Sequence, residues 1–190
     1  MKPDNKEATL STYNVKSGDT VHLMVLLYAV PSNLNKVVFD LHWGYPPNGR
    51  DYLDASALVF TGKTFVEVVD YTKRGKTVGE AICHSGDLMD DNNRIGHHII
   101  HVELQKIPAN VTNVFFTLSA WNSPTISHFK NPSMKFFELS NPTKMLCTDQ
   151  TKSAGHRQAI VMCSLTRRGG SGMLIAMAPS PVGMQSSMVH

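Results

Sequence analysis

Between Asp51 and Asn93, two segments place carboxylates among short apolar stretches. One reads Asp51-Tyr52-Leu53-Asp54-Ala55-Ser56 and the other His84-Ser85-Gly86-Asp87-Leu88-Met89-Asp90-Asp91-Asn92-Asn93. Asp87, Asp90 and Asp91 put three carboxylates within five positions, and the amide oxygens of Asn92 and Asn93 follow. A hard cation such as calcium takes about six to eight oxygen ligands at ~2.3–2.6 Å, from carboxylates, amides and backbone carbonyls. Two acidic loops meeting at one end of a β-sheet protein can supply such oxygens, and Gly86 permits the sharp turn a ligand loop needs. The plainer reading is a polar surface loop in which Asp and Asn serve as turn formers. The spacing is not that of an EF-hand, which alternates acids before a glycine and ends on a distal glutamate.

Two other constellations carry reactive side chains. Gly96-His97-His98-Ile99-Ile100-His101-Val102-Glu103-Leu104 gathers three histidines. On a helix, His97 and His101 would share a face at zinc-binding distance. The β-branched neighbours favour a strand instead, where His97 and His101 stand roughly 13 Å apart at ~3.3 Å per residue. One metal with ligands at ~2.1 Å cannot bridge that gap, so the histidines read as exposed or rim residues. Cys83-His84 pairs a thiol with an imidazole. Neighbours on a strand point to opposite faces, so Cys83 reads as a buried structural cysteine rather than half of a catalytic dyad.

The elements that must position these groups are strands. Val37, Phe39, Leu41 and Trp43 alternate with Lys36, Val38, Asp40 and His42, the period-2 pattern of a strand with one buried face. Similar short segments are predicted at 22–27, 57–61, 65–71, 98–104, 114–120, 134–139, 159–165 and 173–178, each bounded by Gly, Pro, Asn, Asp or Ser. Asn131-Pro132 and Asn141-Pro142 read as turns bracketing the 134–139 strand. Arg168-Gly169-Gly170-Ser171-Gly172 reads as a hairpin joining the last two strands. The expected fold is all-β, a two-sheet β-sandwich of about ten short strands.

Composition excludes several function classes. The chain has 190 residues, 42% of them apolar and 17% charged, which is globular rather than disordered. The net charge of +3 comes from 18 basic and 15 acidic residues, and the basic ones are scattered. No nucleic-acid footprint emerges, and Lys73-Arg74-Gly75-Lys76 and Arg167-Arg168 read as solvated turns. The longest apolar run, Leu23 to Val30, is far short of the ~20 residues of a membrane span. The N-terminus lacks the apolar core of a signal peptide, and three cysteines without one suggest reduced thiols in the cytoplasm. The expected organisation is an N-terminal extension over residues 1–15, one sandwich domain over 16–183 and a frayed tail over 184–190.

In order along the chain, these residues resemble the TerD family of tellurite-resistance and stress-response proteins. Asn33 to Trp43 is similar to the family's strand ending in Gly-x-Gly-Trp. Leu53-Asp54-Ala55-Ser56-Ala57 matches its Leu-Asp-Ala-Ser-Ala signature, and His84-Ser85-Gly86-Asp87 matches its His-(Ser/Thr)-Gly-Asp. Ile107-Pro108-Ala109-Asn110-Val111 followed by Val114-Phe115-Phe116 resembles its Val-Pro-Ala-x-Val strand. The stretch from Asn131 to Leu146 resembles its Asn-Ala-Phe-Ile-Arg and Thr-Gly-Glu-Glu-Leu segments. Ala159-Ile160-Val161-Met162 to Gly170 resembles its closing hairpin.

The resemblance implies a β-sandwich whose two acidic loops bind calcium, without catalytic activity, acting through metal-dependent association with other proteins, often near a membrane. On that basis the expected ligands are Asp54, Asp87, Asp90 and Asp91, with Asp51 and Asn92 in support. The family's first ligand run is Asp-x-Asp-x-Asp-Ala-Ser; here Asp54 falls in register and Asp51 is displaced by one. Aligned without gaps, the acids closing its second run fall on Gly96, His97 and His98. Lost carboxylates lower calcium affinity, so the expectation is one weakened site or none. Two other readings stand beside it. One is a degenerate domain that serves protein interaction alone. The other is a zinc- or thiol-dependent enzyme using Cys83, His84, His97 or His101.

Overall fold

A computed structural model of the chain describes residues 26–29, 34–72, 75–147, 151, 156–167 and 173–177. Twelve strands run through these residues: β1 (Leu26–Ala29), β2 (Lys36–Gly44), β3 (Leu53–Thr61), β4 (Thr64–Val69), β5 (Ile82–His84), β6 (Leu88–Asp90), β7 (Ile95–Glu103), β8 (Asn113–Ala120), β9 (Lys130–Glu138), β10 (Asn141–Cys147), β11 (Ala159–Arg167) and β12 (Met173–Met177). They form two antiparallel sheets. One has the order β1-β12-β11-β8-β3-β4, and the other β10-β9-β2-β7-β5, with β6 also pairing β7. The predicted sandwich is therefore present. Among the described residues no helix is long and apolar enough to cross a membrane. The expected N-terminal extension, the 168–172 hairpin loop and the 184–190 tail lie outside the described residues.

Period-2 patterning explains the layers. On β2 the inward residues Val37, Phe39, Leu41 and Trp43 are buried, and on β8 Val114, Phe116, Leu118 and Ala120 are. The two sheets meet through aromatic rings: Phe39 of β2 stacks on Phe116 of β8 at 5.4 Å, and Phe136 of β9 packs on Phe116 at 5.6 Å. Each such side chain removes roughly 150–250 Å² from water, so this cluster dominates the attraction between the sheets.

Three strands escape the sequence reading. β5 and β6 hold three residues each, too few to display a period, and β10 carries the Asn141-Pro142 pair that reads as a turn in sequence. Asn131-Pro132 likewise lies inside β9. Asn131 sits at φ 45, and the register between β2 and β9 shifts between His42 and Gly44. A bulge there removes the ladder position that proline cannot fill.

Arg167 departs from the expected solvated turn. Its guanidinium donates to the carbonyl oxygens of Val111 (3.2 Å), Ile107 (3.2 Å) and Pro108 (3.5 Å), which closes the turn that leads into β8. Arg167→Met should leave the Val111 and Ile107 carbonyls without the guanidinium, while Pro108 keeps the Val111 N–H, and cost about 1–3 kcal/mol, read as a lower urea midpoint at unchanged slope. A midpoint equal to the wild type's would mean that water replaces the guanidinium.

Candidate metal centre

The two motif segments meet because β3 loses its neighbour. β4 pairs with β3 from Ala57 onward, so among the described residues no strand pairs with β3 at Ala55 on the side away from β8. Two imidazoles from the opposite sheet take that place. The Ala55 N–H donates to His98 Nδ1 at 3.3 Å, and His84 Nε2 lies 3.1 Å from the Ala55 carbonyl oxygen. Backbone groups buried without partners cost about as much as a lost hydrogen bond, so this grip on Ala55 substitutes for a ladder.

These contacts set both tautomers. His98 Nδ1 accepts from Ala55, so Nε2 carries the proton and donates to Asp87 Oδ1 at 2.7 Å. His84 Nδ1 accepts from the Gly86 N–H at 2.9 Å, so its Nε2 donates to the Ala55 carbonyl. Burial pushes the pKa of both imidazoles below its usual value, which keeps them neutral. The rings pack edge to face at 4.7 Å, and Trp43 meets His98 in the same manner at 4.9 Å.

β5 and β6 pair with the same edge of β7, and residues 85–87 interrupt them. Ser85 bridges the break, its N–H donating to the Ile99 carbonyl (2.8 Å) and its Oγ accepting from the Ile99 N–H (2.9 Å). Gly86 sits at φ 77, the left-handed region where a side chain would be strained. The bulge turns Asp87 toward His98 and Asp54.

Asp54 is the unusual group. It is 9% exposed, and no hydrogen bond or ion pair reaches its carboxylate among the described residues. Ligating atoms of Asp54, Asp87 and His98 lie within 4.8 Å of one another. Burial first, then the charges of Asp87, Asp51 and Asp70, push the Asp54 pKa up to about 6. Asp54 and Asp87 line an open pocket of about 230 Å³ with Tyr52, Tyr71 and Trp121. Trp121 is 58% exposed at its rim.

The other expected ligands are engaged elsewhere. Asp51 is buried and accepts from the Tyr52 N–H (2.8 Å), the Asn122 N–H (3.2 Å) and the Ser123 hydroxyl (2.6 Å). Burial raises its pKa, but those donors outweigh burial and hold it below the usual value. Asp90 closes the β6–β7 turn by accepting from the Asn93 backbone N–H (3.0 Å) and side-chain amide (2.7 Å). Asp91 accepts from the Tyr45 hydroxyl (2.6 Å) and from Arg50 (3.0 Å). Asn92 is exposed in the same turn. The tertiary structure thus gathers Asp54 and Asp87, with Asp51 as a brace for the Trp121 turn, and leaves Asp90, Asp91 and Asn92 in the hairpin.

Two residues, His98 and Cys83, differ from their sequence reading. His98 is 0% exposed rather than a rim residue. Its alternation with Ile100 and Val102 was the available signal, since all three face inward while His97, Ile99 and His101 face out. Gly96, aligned with an acid, lies under the Trp43 indole; a Cβ there would meet ring atoms at 2.3 Å, so a carboxylate would have to displace the ring. Cys83 is half-buried rather than buried, and its thiol donates to the Glu80 carbonyl at 3.4 Å. Both nitrogens of His84 are occupied, so it offers Cys83 no base.

For the calcium that the sequence resemblance implies, the donors fit in kind and are few in number. Asp54 and Asp87 are hard oxygen ligands, and His98 spends its Nε2 proton on orienting Asp87. Two carboxylates correspond to weak affinity.

A family model described as the TerD domain matches residues 11–179. The chain belongs to the TerD family. It is 26% identical to the tellurium resistance protein TerZ of Serratia marcescens over 146 residues, covering 75% of this chain and 74% of that protein. Among solved structures, a homologue of telluride resistance protein (TerD) from Streptomyces coelicolor A3(2) superposes with a TM-score of 0.61 at 18% identity, covering 79% of this chain and 94% of that one. A crystal structure of a protein of unknown function superposes with a TM-score of 0.66 at 17% identity, over 76% of this chain and 88% of that one. In this TerD domain the two sequence signatures are the two halves of one site, joined through Ala55, His84 and His98.

Proposed function

We propose that this TerD domain is a calcium-binding module of the stress response, acting in the cytoplasm through protein partners and not as an enzyme. Asp54 carries this reading: a largely buried carboxylate without a donor, facing a second carboxylate, destabilises the fold when ionised unless a cation neutralises it. Asp54 and Asp87 would hold the cation, which supplies positive charge to a pair that the protein leaves uncompensated. His98 and His84 fix the loop, so the charge at this end of the sandwich, and with it the surface around Tyr52, Tyr71 and Trp121, depends on occupancy. An exposed tryptophan beside a charged pocket is the composition of a protein-binding patch. The tellurium-resistance name of the Serratia marcescens relative supports a stress role.

Titration of metal-stripped protein with calcium by calorimetry tests the reading. Saturable binding that Asp54→Asn and Asp87→Asn each abolish is expected. Absence of heat and of any thermal shift at millimolar calcium would instead favour a metal-free interaction domain. One observation leans that way: Asp51, Asp90 and Asp91 have their oxygens taken by protein donors.

A further inference from the structure

A second cluster lies on the outer face of the other sheet, away from the Asp54 pocket. His42 of β2 and His97 of β7 are direct cross-strand partners, and their imidazoles stack at 3.7 Å with an interplanar angle of 18°. Asp40 lies two residues before His42 on the same face. Its Oδ1 is 3.2 Å from His42 Nε2 and also contacts His97 Nε2. One carboxylate oxygen therefore faces two imidazole nitrogens, and all three ligating atoms lie within 4.8 Å.

The geometry points to a borderline divalent-cation site of the zinc class at Asp40, His42 and His97, separate from Asp54 and Asp87. Two imidazoles and one carboxylate are a donor set that suits Zn²⁺, Co²⁺ or Ni²⁺ and suits calcium poorly. Bonds of ~2.0–2.1 Å in a tetrahedron put neighbouring ligand atoms about 3.3–3.4 Å apart. The 3.2 Å between Asp40 Oδ1 and His42 Nε2 is close to that edge, while the near-parallel rings of His42 and His97 must turn apart for both Nε2 lone pairs to meet one ion. Both strands are held: β2 pairs β7 on one side and β9 on the other, so the ligands stand on a fixed lattice rather than on a loop. Such a lattice reduces the entropy that binding would otherwise cost.

The surroundings leave the site open. Cross-strand from Asp40 on β9 is Lys135, whose charge opposes a cation but whose side chain is exposed and free to swing into solvent. Ser133 lies opposite His42, and Leu88 opposite His97. His42 also borders a pocket of about 320 Å³ with Tyr45, Arg94 and Lys130, so water or a group from another molecule can reach the cluster. Three protein ligands with solvent access describe a site that accepts a further ligand.

Cobalt(II) provides a visible probe, because four-coordinate cobalt absorbs much more strongly than the aqueous ion. Metal-stripped full-length protein titrated with Co²⁺ should develop these bands to about one equivalent, and Zn²⁺ should erase them. His42→Gln and His97→Gln should each weaken binding more than about 100-fold, since removing a group that merely orients a ligand already costs about 10–100-fold. Asp40→Asn, which preserves both rings, should weaken it in the same direction. Asp54→Asn and Asp87→Asn should leave the bands unchanged, so this site and the calcium reading fail separately. Circular dichroism of each variant checks folding. No bands in the wild type, bands that survive in both glutamine variants, or bands lost in Asp54→Asn would each overturn the assignment.

Discussion

Asp54→Asn should make the metal-stripped protein more stable at neutral pH while abolishing its response to calcium. The Asp54 pKa stands at about 6 in the folded chain, against 3.8 for an ordinary aspartate. Between those values the folded state binds more protons than the unfolded state, so stability falls as pH rises through the window. Above pH 6 the whole cost is present. A tenfold change in proton affinity corresponds to about 1.36 kcal/mol, and solvent contact through the open pocket reduces the total to about 1–2 kcal/mol. Asparagine removes the charge at nearly constant volume, so the variant should gain that amount at pH 7.5 and lose the advantage below pH 4. Calcium should raise the melting temperature of the wild type and not of the variant, because only a ligand that binds the folded state shifts the transition. Equal apo stabilities at pH 7.5 would show that Asp54 is not desolvated there, and the case for a cation at this position would fall with it.

The second large effect is His98→Ala, expected to cost about 3–5 kcal/mol at pH 7.5. The ring is wholly buried, and its removal leaves a cavity beside Trp43, an unpartnered Ala55 N–H and an Asp87 without its donor. His98→Phe should restore the packing part and not the polar part, so it should fall between alanine and wild type. The pH dependence separates this role from simple filling. The folded pKa of His98 lies below 6.5, so at acid pH the unfolded state binds the additional proton. Stability from this group is complete above pH 6.5 and is lost as pH falls. Wild type should therefore lose stability on acidification more steeply than His98→Phe. Parallel pH profiles, or an alanine variant within about 1 kcal/mol of wild type, would mean that the imidazole is filler. Calcium affinity of the alanine variant should also drop, because nothing then orients Asp87.

Much of this molecule is written locally. The alternation in β2, β7 and β8 identifies strands with one buried face, since side-chain period depends on neighbours two residues away. The Leu-Asp-Ala-Ser-Ala and His-Ser-Gly-Asp segments point to Asp54 and Asp87 through their resemblance to the family's two signatures. Strands of three residues such as β5 and β6 escape, as does Pro132 inside a bulge, since pairing rather than period defines them.

What the tertiary structure decided is which polar groups are already satisfied. Asp51, Asp54, Asp87, Asp90 and Asp91 look alike in sequence, yet Ser123, Asn93, Tyr45 and Arg50 claim three of them from up to 72 positions away. Asp54 alone among these five is left without a donor among the described residues. His98 and His42 gain their roles the same way, from Ala55 and Asp87 in one case and from His97 across a strand ladder in the other. Hydrogen-bond satisfaction and desolvation depend on long-range register, and register is set by the packing of whole sheets. A carboxylate's type is local; its free energy is not.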